Sequence, residues 1–246
     1  MSDKREVIIE CRNLSRIYKM GGQEIRALHD MDLNVYRGEY LSVMGPSGSG
    51  KSTLFNMIGA LDKPTSGSVS IGGVDLTTQS SLELAYFRNH HIGYVFQSFN
   101  LIPSLTALRN VMLPLLFSGM DTAAATERGS EVLASVGLGD RLHHRPSECS
   151  GGQQQRIAIA RGLAMNPTIM LADEPTANLD LHTGEEIIQI LRECTRKYDT
   201  TVITATHDHK MLAASNRVVY LTDGKIVDIK DREDLEITFG EIDGHT

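Results

Sequence analysis

The chain has 246 residues, 41% of them hydrophobic and 22% charged, a balance that suits a globular protein with a sizeable core. That length admits one large domain or a domain carrying an inserted subdomain. Lys plus Arg number 24 against 31 Asp plus Glu, a formal net charge of −7, which argues against a nucleic-acid or anionic-lipid surface carried by bulk charge.

Cys11, Cys149 and Cys194 are scattered without metal spacing and read as reduced thiols of a cytosolic protein. The opening "MSDKREVIIE" has too short an apolar stretch for a signal peptide. "VMLPLLF" at 111–117 is the most apolar run, far below the roughly 20 residues of a membrane span. Any membrane role is therefore expected to come from another chain.

In chain order, "VIIEC" (7–11) and "YLSVM" (40–44) read as strands, with "MDLNV" (31–35) a weaker candidate. "TLFNMIGAL" reads as a helix after "GPSGSGKS", and "GSVSIGG" and "IGYVF" add strands. From Pro103 to Gly139 the periodicity turns helical, in "TALRNVMLPLLF" and "AAATERGSEVLASVGL", so an inserted helical subdomain is expected at about 98–165. The helix of "PSECSGGQQQRIAIARGLA" (146–164) closes it. Alternation then returns: "TIMLAD", a helix over 184–198, "TVITAT", a short helix near Met211, and "RVVYL". The Asp-Gly pair in "TDGKIV" marks a hairpin turn. The pattern predicts an α/β domain with a largely parallel sheet over 1–228 and an acidic, frayed tail over 229–246.

Gly45–Ser52, "GPSGSGKS", fits G-x-x-x-x-G-K-[ST], placed between a strand and a helix as a phosphate-binding loop requires. Gly45, Gly48 and Gly50 let the backbone of Pro46, Ser47 and Ser49 wrap phosphate oxygens with inward N–H groups. Lys51 supplies a compact positive charge, Ser52 a hydroxyl for Mg²⁺, and Thr53 a contact to the α-phosphate. "TIMLADE" ends an apolar strand in two carboxylates: Asp173 suits the metal and Glu174 the attacking water. The N-terminus of the "SGGQ" helix is a second anion-binding device.

Together with "MLADEPTANLD" (170–180) and "THD" (206–208), these stretches resemble, in order and spacing, the ATP-binding subunit of ABC transporters. The resemblance implies the P-loop ATPase fold of that family: a mostly parallel core sheet, an N-terminal antiparallel β-subdomain and the helical insert. It also implies ATP and Mg²⁺ as ligands. By the same resemblance Tyr18 would stack on adenine, Gln97 would sense Mg²⁺ and water, and His207 would contact the γ-phosphate. Ser150, Gly151, Gly152 and Gln153 would serve the ATP of a second copy in a head-to-tail homodimer, with Asp180 in the loop that crosses over. Cys149 stands where the family usually has Leu, either as a packing residue or as a thiol activated beside a helix N-terminus.

"RALHDMDLNVYRGEY" and "FQSFNLIPSLTALRN" look most like the lipoprotein-release and macrolide-export branch (LolD/MacB-like ATPases). That implies a separate integral membrane permease docking in a groove of "SFNLIPSLTALRNVMLPLLF" (98–117), an extracytoplasmic adaptor as a further partner, and a place on the cytoplasmic face of the inner membrane. Each of Phe99, Leu101, Ile102 and Leu105, taken singly, reads as core. The alternative is an ATPase that works through a permease-like partner to regulate cell-wall hydrolases.

Overall fold

The computed structural model describes residues 5–207 and 209–235. Strands β1 (Val7–Met20) and β2 (Gln23–Tyr36) form one long hairpin, closed at Gly21 and Gly22 with φ of 57° and 83°. Positive φ at both central residues is what a tight hairpin turn needs, and glycine adopts it without steric cost. Both strands outrun the apolar stretches that the sequence marked, because the tip (Gln23–Arg26) is exposed on every residue and has no apolar alternation. With β4 (Ser66–Ile71) and β5 (Val74–Asp75) they make an antiparallel sheet of order β2-β1-β4-β5.

The second sheet has the order β10-β9-β3-β8-β7-β6. Its strands are β3 (Tyr40–Met44), β6 (Ile92–Val95), β7 (Ile169–Asp173), β8 (Thr201–Thr206), β9 (Arg217–Thr222) and β10 (Lys225–Asp231). All pairs are parallel except β9 with β10. β3 and β8 are buried at every residue, as expected of parallel strands covered on both faces. The hydroxyls inside are matched: Ser42 Oγ lies 2.9 Å from Thr204 Oγ1 and 2.7 Å from Ser215 Oγ.

The helices are α1 (Lys51–Ile58), α2 (Ser81–His91), α3 (Ala107–Phe117), α4 (Thr122–Ser135), α5 (Gly151–Leu163) and α6 (Leu181–Lys197). α3 to α5 fall between β6 and β7 in the chain. α2 was not foreseen, although Ser80 and Glu83 form a full capping box at its start. α6 begins before residue 184 because the Asp180 carboxylate accepts from Thr183 N at 3.0 Å. The helix expected near Met211 is a 3₁₀ segment, His209–Ala214.

Two apolar cores result. Leu14, Leu28, Leu33 and Phe55 fill the space between the antiparallel sheet, α1 and the central sheet. Val111, Leu115, Ile157, Ile159, Ile187 and Leu191 fill the space beneath α3–α6. Each such side chain contributes about 1.5–3 kcal/mol on burial. Leu101 packs on the second core, whereas Ile102 is 41% exposed.

The C-terminal segment departs from expectation. β10 runs past residue 228 to Asp231, and Leu235 packs against Met44, Leu212 and Val218. Pairing with β9 and this small apolar cluster hold residues expected to fray. Asp208 of "THD" and residues 236–246 lie outside the described residues.

Candidate functional site: a phosphate-binding cavity at the carboxyl ends of the central strands

Register aligns the ends of four parallel strands. Met44 of β3 pairs with Thr206 of β8, Ala205 of β8 with Asp173 of β7, and Ala172 of β7 with Val95 of β6. The residues that follow those ends are therefore neighbours: Gly45, His207, Glu174 and, after Phe96, Gln97. Carboxyl ends of parallel strands are where open α/β sheets bind ligands. A cavity of about 690 Å³ lies there. Ser47, Gly48, Gly50, Lys51, Ser52, Thr53, Gln97, Asp173, Glu174 and His207 line it, together with Ile25, Arg26 and Ala27 of β2.

The loop holds its shape through backbone contacts that exclude side chains. A Cβ on Gly45 would lie 2.1 Å from Leu221 O, and one on Gly50 2.6 Å from Ala27 O. Gly224, in the β9–β10 turn, donates to Ser49 O and accepts from His29 N, both at 2.9 Å. That turn thus fastens the loop to β2. Pro46 is exposed and Ser49 buried, and both stand outside the lining. Lys51 Nζ donates to Gly45 O at 2.6 Å and to Pro46 O at 3.1 Å, which aims its charge along the loop.

Opposite the loop, burial pushes the Asp173 carboxyl up, the Glu174 charge adds to the rise, and Lys51 opposes it. Ser52, Gln97 and Asp173 are hard oxygen donors on one cavity, a set that fits Mg²⁺. Glu174 has φ 46°, a left-handed conformation that a non-glycine residue holds at a cost of about 1–3 kcal/mol. Its N–H donates to Ala205 O at 2.9 Å, and its Oε1 lies 2.9 Å from His207 Nδ1. Glu174 is 16% exposed and His207 72%, so a sheltered carboxylate holds an imidazole at the cavity mouth.

Tyr18 is outside the lining. Its hydroxyl donates to Asp62 Oδ2 at 3.2 Å, and the Arg16 guanidinium lies 4.6 Å from its ring centre. Its cross-strand partner is Ile25, which does line the cavity, and directly opposed residues share one face of a sheet.

Ser150, Gly152 and Gln153 line a different cavity of about 280 Å³, with Arg156, Thr183 and Glu186. Ser150 is the N-cap of α5: its Oγ accepts from Gln153 N at 3.3 Å, and Gln153 Oε1 accepts from Ser150 N at 2.9 Å. Gly151 has an ordinary 3.4 Å contact with Leu179 in the place of a Cβ, whereas at Gly152 a Cβ would lie 2.2 Å from Thr183 Cγ2. These residues therefore carry structural duties whatever else they do. Cys149 packs against the second core, and burial raises its thiol above the ordinary range. Both features favour the packing role over an activated thiol.

Sequence reading missed the β2 wall of the cavity and the residues that hold Gln97 and the turn after it. Arg161 donates to Phe99 O at 3.1 Å and to Asn100 O at 2.5 Å, and Asn178 Nδ2 donates to Gln97 O at 3.0 Å. The Gly-Gly pair at 21–22 was the one local signal for the extended hairpin.

A family model described as "ABC transporter" matches residues 28–177. The lipoprotein-releasing system ATP-binding protein LolD of Syntrophus aciditrophicus is 46% identical over 220 residues, 89% of this chain and 99% of its own. The macrolide export ATP-binding/permease protein MacB of Rhodopirellula baltica is 44% identical over 228 residues, covering 92% of this chain and 33% of its own. Among solved structures, a dimer of the ATP-binding cassette MJ0796 of Methanocaldococcus jannaschii, in a post-hydrolysis state with ADP and Pi, superposes with a TM-score of 0.85. It is 45% identical, covering 92% of this chain and 99% of its own. With a phosphate loop, a two-carboxylate strand end and relatives spanning nearly its whole length, the chain belongs to the ABC transporter family, as an ATP-binding, ATP-hydrolysing subunit.

Proposed function

We propose that the chain pairs head to tail with a second copy, closing two Mg-ATP sites, and drives a separate permease of the lipoprotein-release or macrolide-export kind. One observation carries this reading: the P-loop cavity and the Ser150–Gln153 cavity share no residue. Ser150 does not line the cavity that contains Lys51, so a second copy that supplied Ser150 would bring the two halves together, and two-fold symmetry would then complete both sites with one surface. That the similar cassette MJ0796 is dimeric, with ADP and Pi bound, supports pairing of two copies.

Within each site the loop N–H groups and Lys51 hold the phosphates, while Ser52, Gln97 and Asp173 hold Mg²⁺, which when bound neutralises charge on the phosphate oxygens. Tyr18, on the face it shares with Ile25, offers its ring to adenine. Glu174 takes a proton from the attacking water. His207, engaged by Glu174 through Nδ1, presents Nε2 to the γ-phosphate. Asp180 and its loop meet the second copy.

Coupling to the permease runs through adjacent residues. Phe96 lines an apolar groove of about 390 Å³ with Leu113, Pro114 and Phe117, and Gln97 lines the P-loop cavity. Phe117 is 79% exposed there, and the groove suits an apolar helix of the permease. Among the described residues no helix is long and apolar enough to cross a membrane, so the chain sits on the membrane through that partner.

Glu174→Gln tests the catalytic half. It should retain ATP binding while hydrolysis slows by about 10²–10⁴-fold. With ATP the variant should double its mass by light scattering. A variant that stays monomeric with ATP removes the pairing.

A further inference from the structure

We propose that Arg26 is a second phosphate-binding cation of the ATP site, acting from the β2 wall of the cavity. The proposal rests on the P-loop cavity being the nucleotide site.

Charge gives the first reason. Lys51 against Asp173 and Glu174 leaves the cavity lining with one excess negative charge when both carboxylates are ionised, before His207 is counted. A magnesium-bound nucleoside triphosphate is itself anionic, so that lining alone repels it. Arg26 is the other permanently charged cation in the lining, and it brings the balance to zero.

Placement gives the second. The carbonyl of Ala27, the next residue, lies 2.6 Å from where a Cβ on Gly50 would stand. β2 therefore touches the loop beside the residue that begins α1, at the phosphate end of the cavity. Arg26 is exposed and enters no ion pair or side-chain hydrogen bond among the described residues. Arg26 also borders a cleft with Asp30 and Asp32, yet neither carboxylate is hydrogen-bonded or ion-paired to it. An uncommitted guanidinium at a cavity wall forms charge-assisted bonds to phosphate oxygens without first breaking others.

The test is a titration of a fluorescent ATP analogue against the full chain and four variants, with thermal melts to confirm folding. Arg26 is exposed, so all its variants should melt with the parent. Arg26→Ala and Arg26→Gln should bind about five- to tenfold more weakly. Arg26→Lys should keep most of the affinity, and the salt dependence of binding should be shallower in Arg26→Ala. Lys51→Ala should lose binding. Parental affinity in Arg26→Ala alongside lost binding in Lys51→Ala overturns the role of Arg26 and leaves the P-loop site standing. Affinity in Arg26→Lys as weak as in Arg26→Ala overturns the charge argument. Parental binding by Lys51→Ala would instead remove the site itself.

Discussion

Gly152→Ala separates packing from phosphate recognition in the "SGGQ" segment. The added methyl would sit 2.2 Å from Thr183 Cγ2, which is ~1.5 Å inside ordinary carbon–carbon contact. Thr183 has little freedom to yield. Its Oγ1 donates to Asp180 Oδ2 at 2.6 Å and its N–H to Asp180 Oδ1 at 3.0 Å, and a β-branched side chain turns only by giving up such a bond. Overpacking of this kind costs about 2 kcal/mol. For a chain of this size, at ~2–4 °C per kcal/mol, the melting midpoint should fall by ~4–8 °C. Differential scanning fluorimetry without nucleotide reads that shift. Thr183→Ser removes Cγ2 and keeps the hydroxyl, so the double variant should recover most of the loss. A Gly152→Ala protein that melts with its parent, or a double variant no better than the single, would refute the close approach of α5 and α6. If stability returns without ATPase activity, Gly152 has a second duty in admitting another chain's nucleotide.

Asn110 is fully buried, accepts from Ile102 N at 2.8 Å and donates to the carbonyls of Ile102, Leu105 and Thr106. Asn110→Ala should therefore cost about 2–3 kcal/mol in urea unfolding and loosen the loop leading from Gln97 to α3. Cys149, its thiol raised by burial, should alkylate slowly near neutral pH. Its rate should climb with pH, without a plateau below about pH 8.5; a plateau nearer neutrality would restore the activated thiol.

Much of the site was legible because its chemistry demands unusual residues. Gly45 and Gly50 have no substitute in a loop that must approach Leu221 and Ala27 backbone atoms, and Lys51 completes the motif that marks that loop. Asp173 and Glu174 end an apolar strand, a placement that composition alone marks. What stayed hidden depends on tertiary proximity. Arg26 stands on an exposed hairpin tip without apolar alternation, so nothing local ties it to a loop some distance along the chain. The "DG" turn was readable as a hairpin, but its bond from Gly224 to Ser49 was not. α2 has a weak apolar stripe, with Leu84 and Phe87 as its buried residues, and its capping box was the readable sign. The structural duties of Ser150 and Asp180 as helix caps also coincide with the family's motif positions, so sequence alone could not divide cap from ligand.

Lesion complementation tests the shared site most directly. Lys51→Ala breaks the loop half of a composite site, and Ser150→Arg breaks the α5 half by bulk and charge, at a capping cost of about 1 kcal/mol that melting curves will show. Each variant alone should be inactive. In a mixed dimer, once subunit exchange and ATP binding are demonstrated, one site carries both lesions while the other combines an intact Lys51 with an intact Ser150. Hydrolysis should then recover toward the level of a single site. A mixed dimer that binds ATP and recovers nothing would contradict an ATP site shared between two copies.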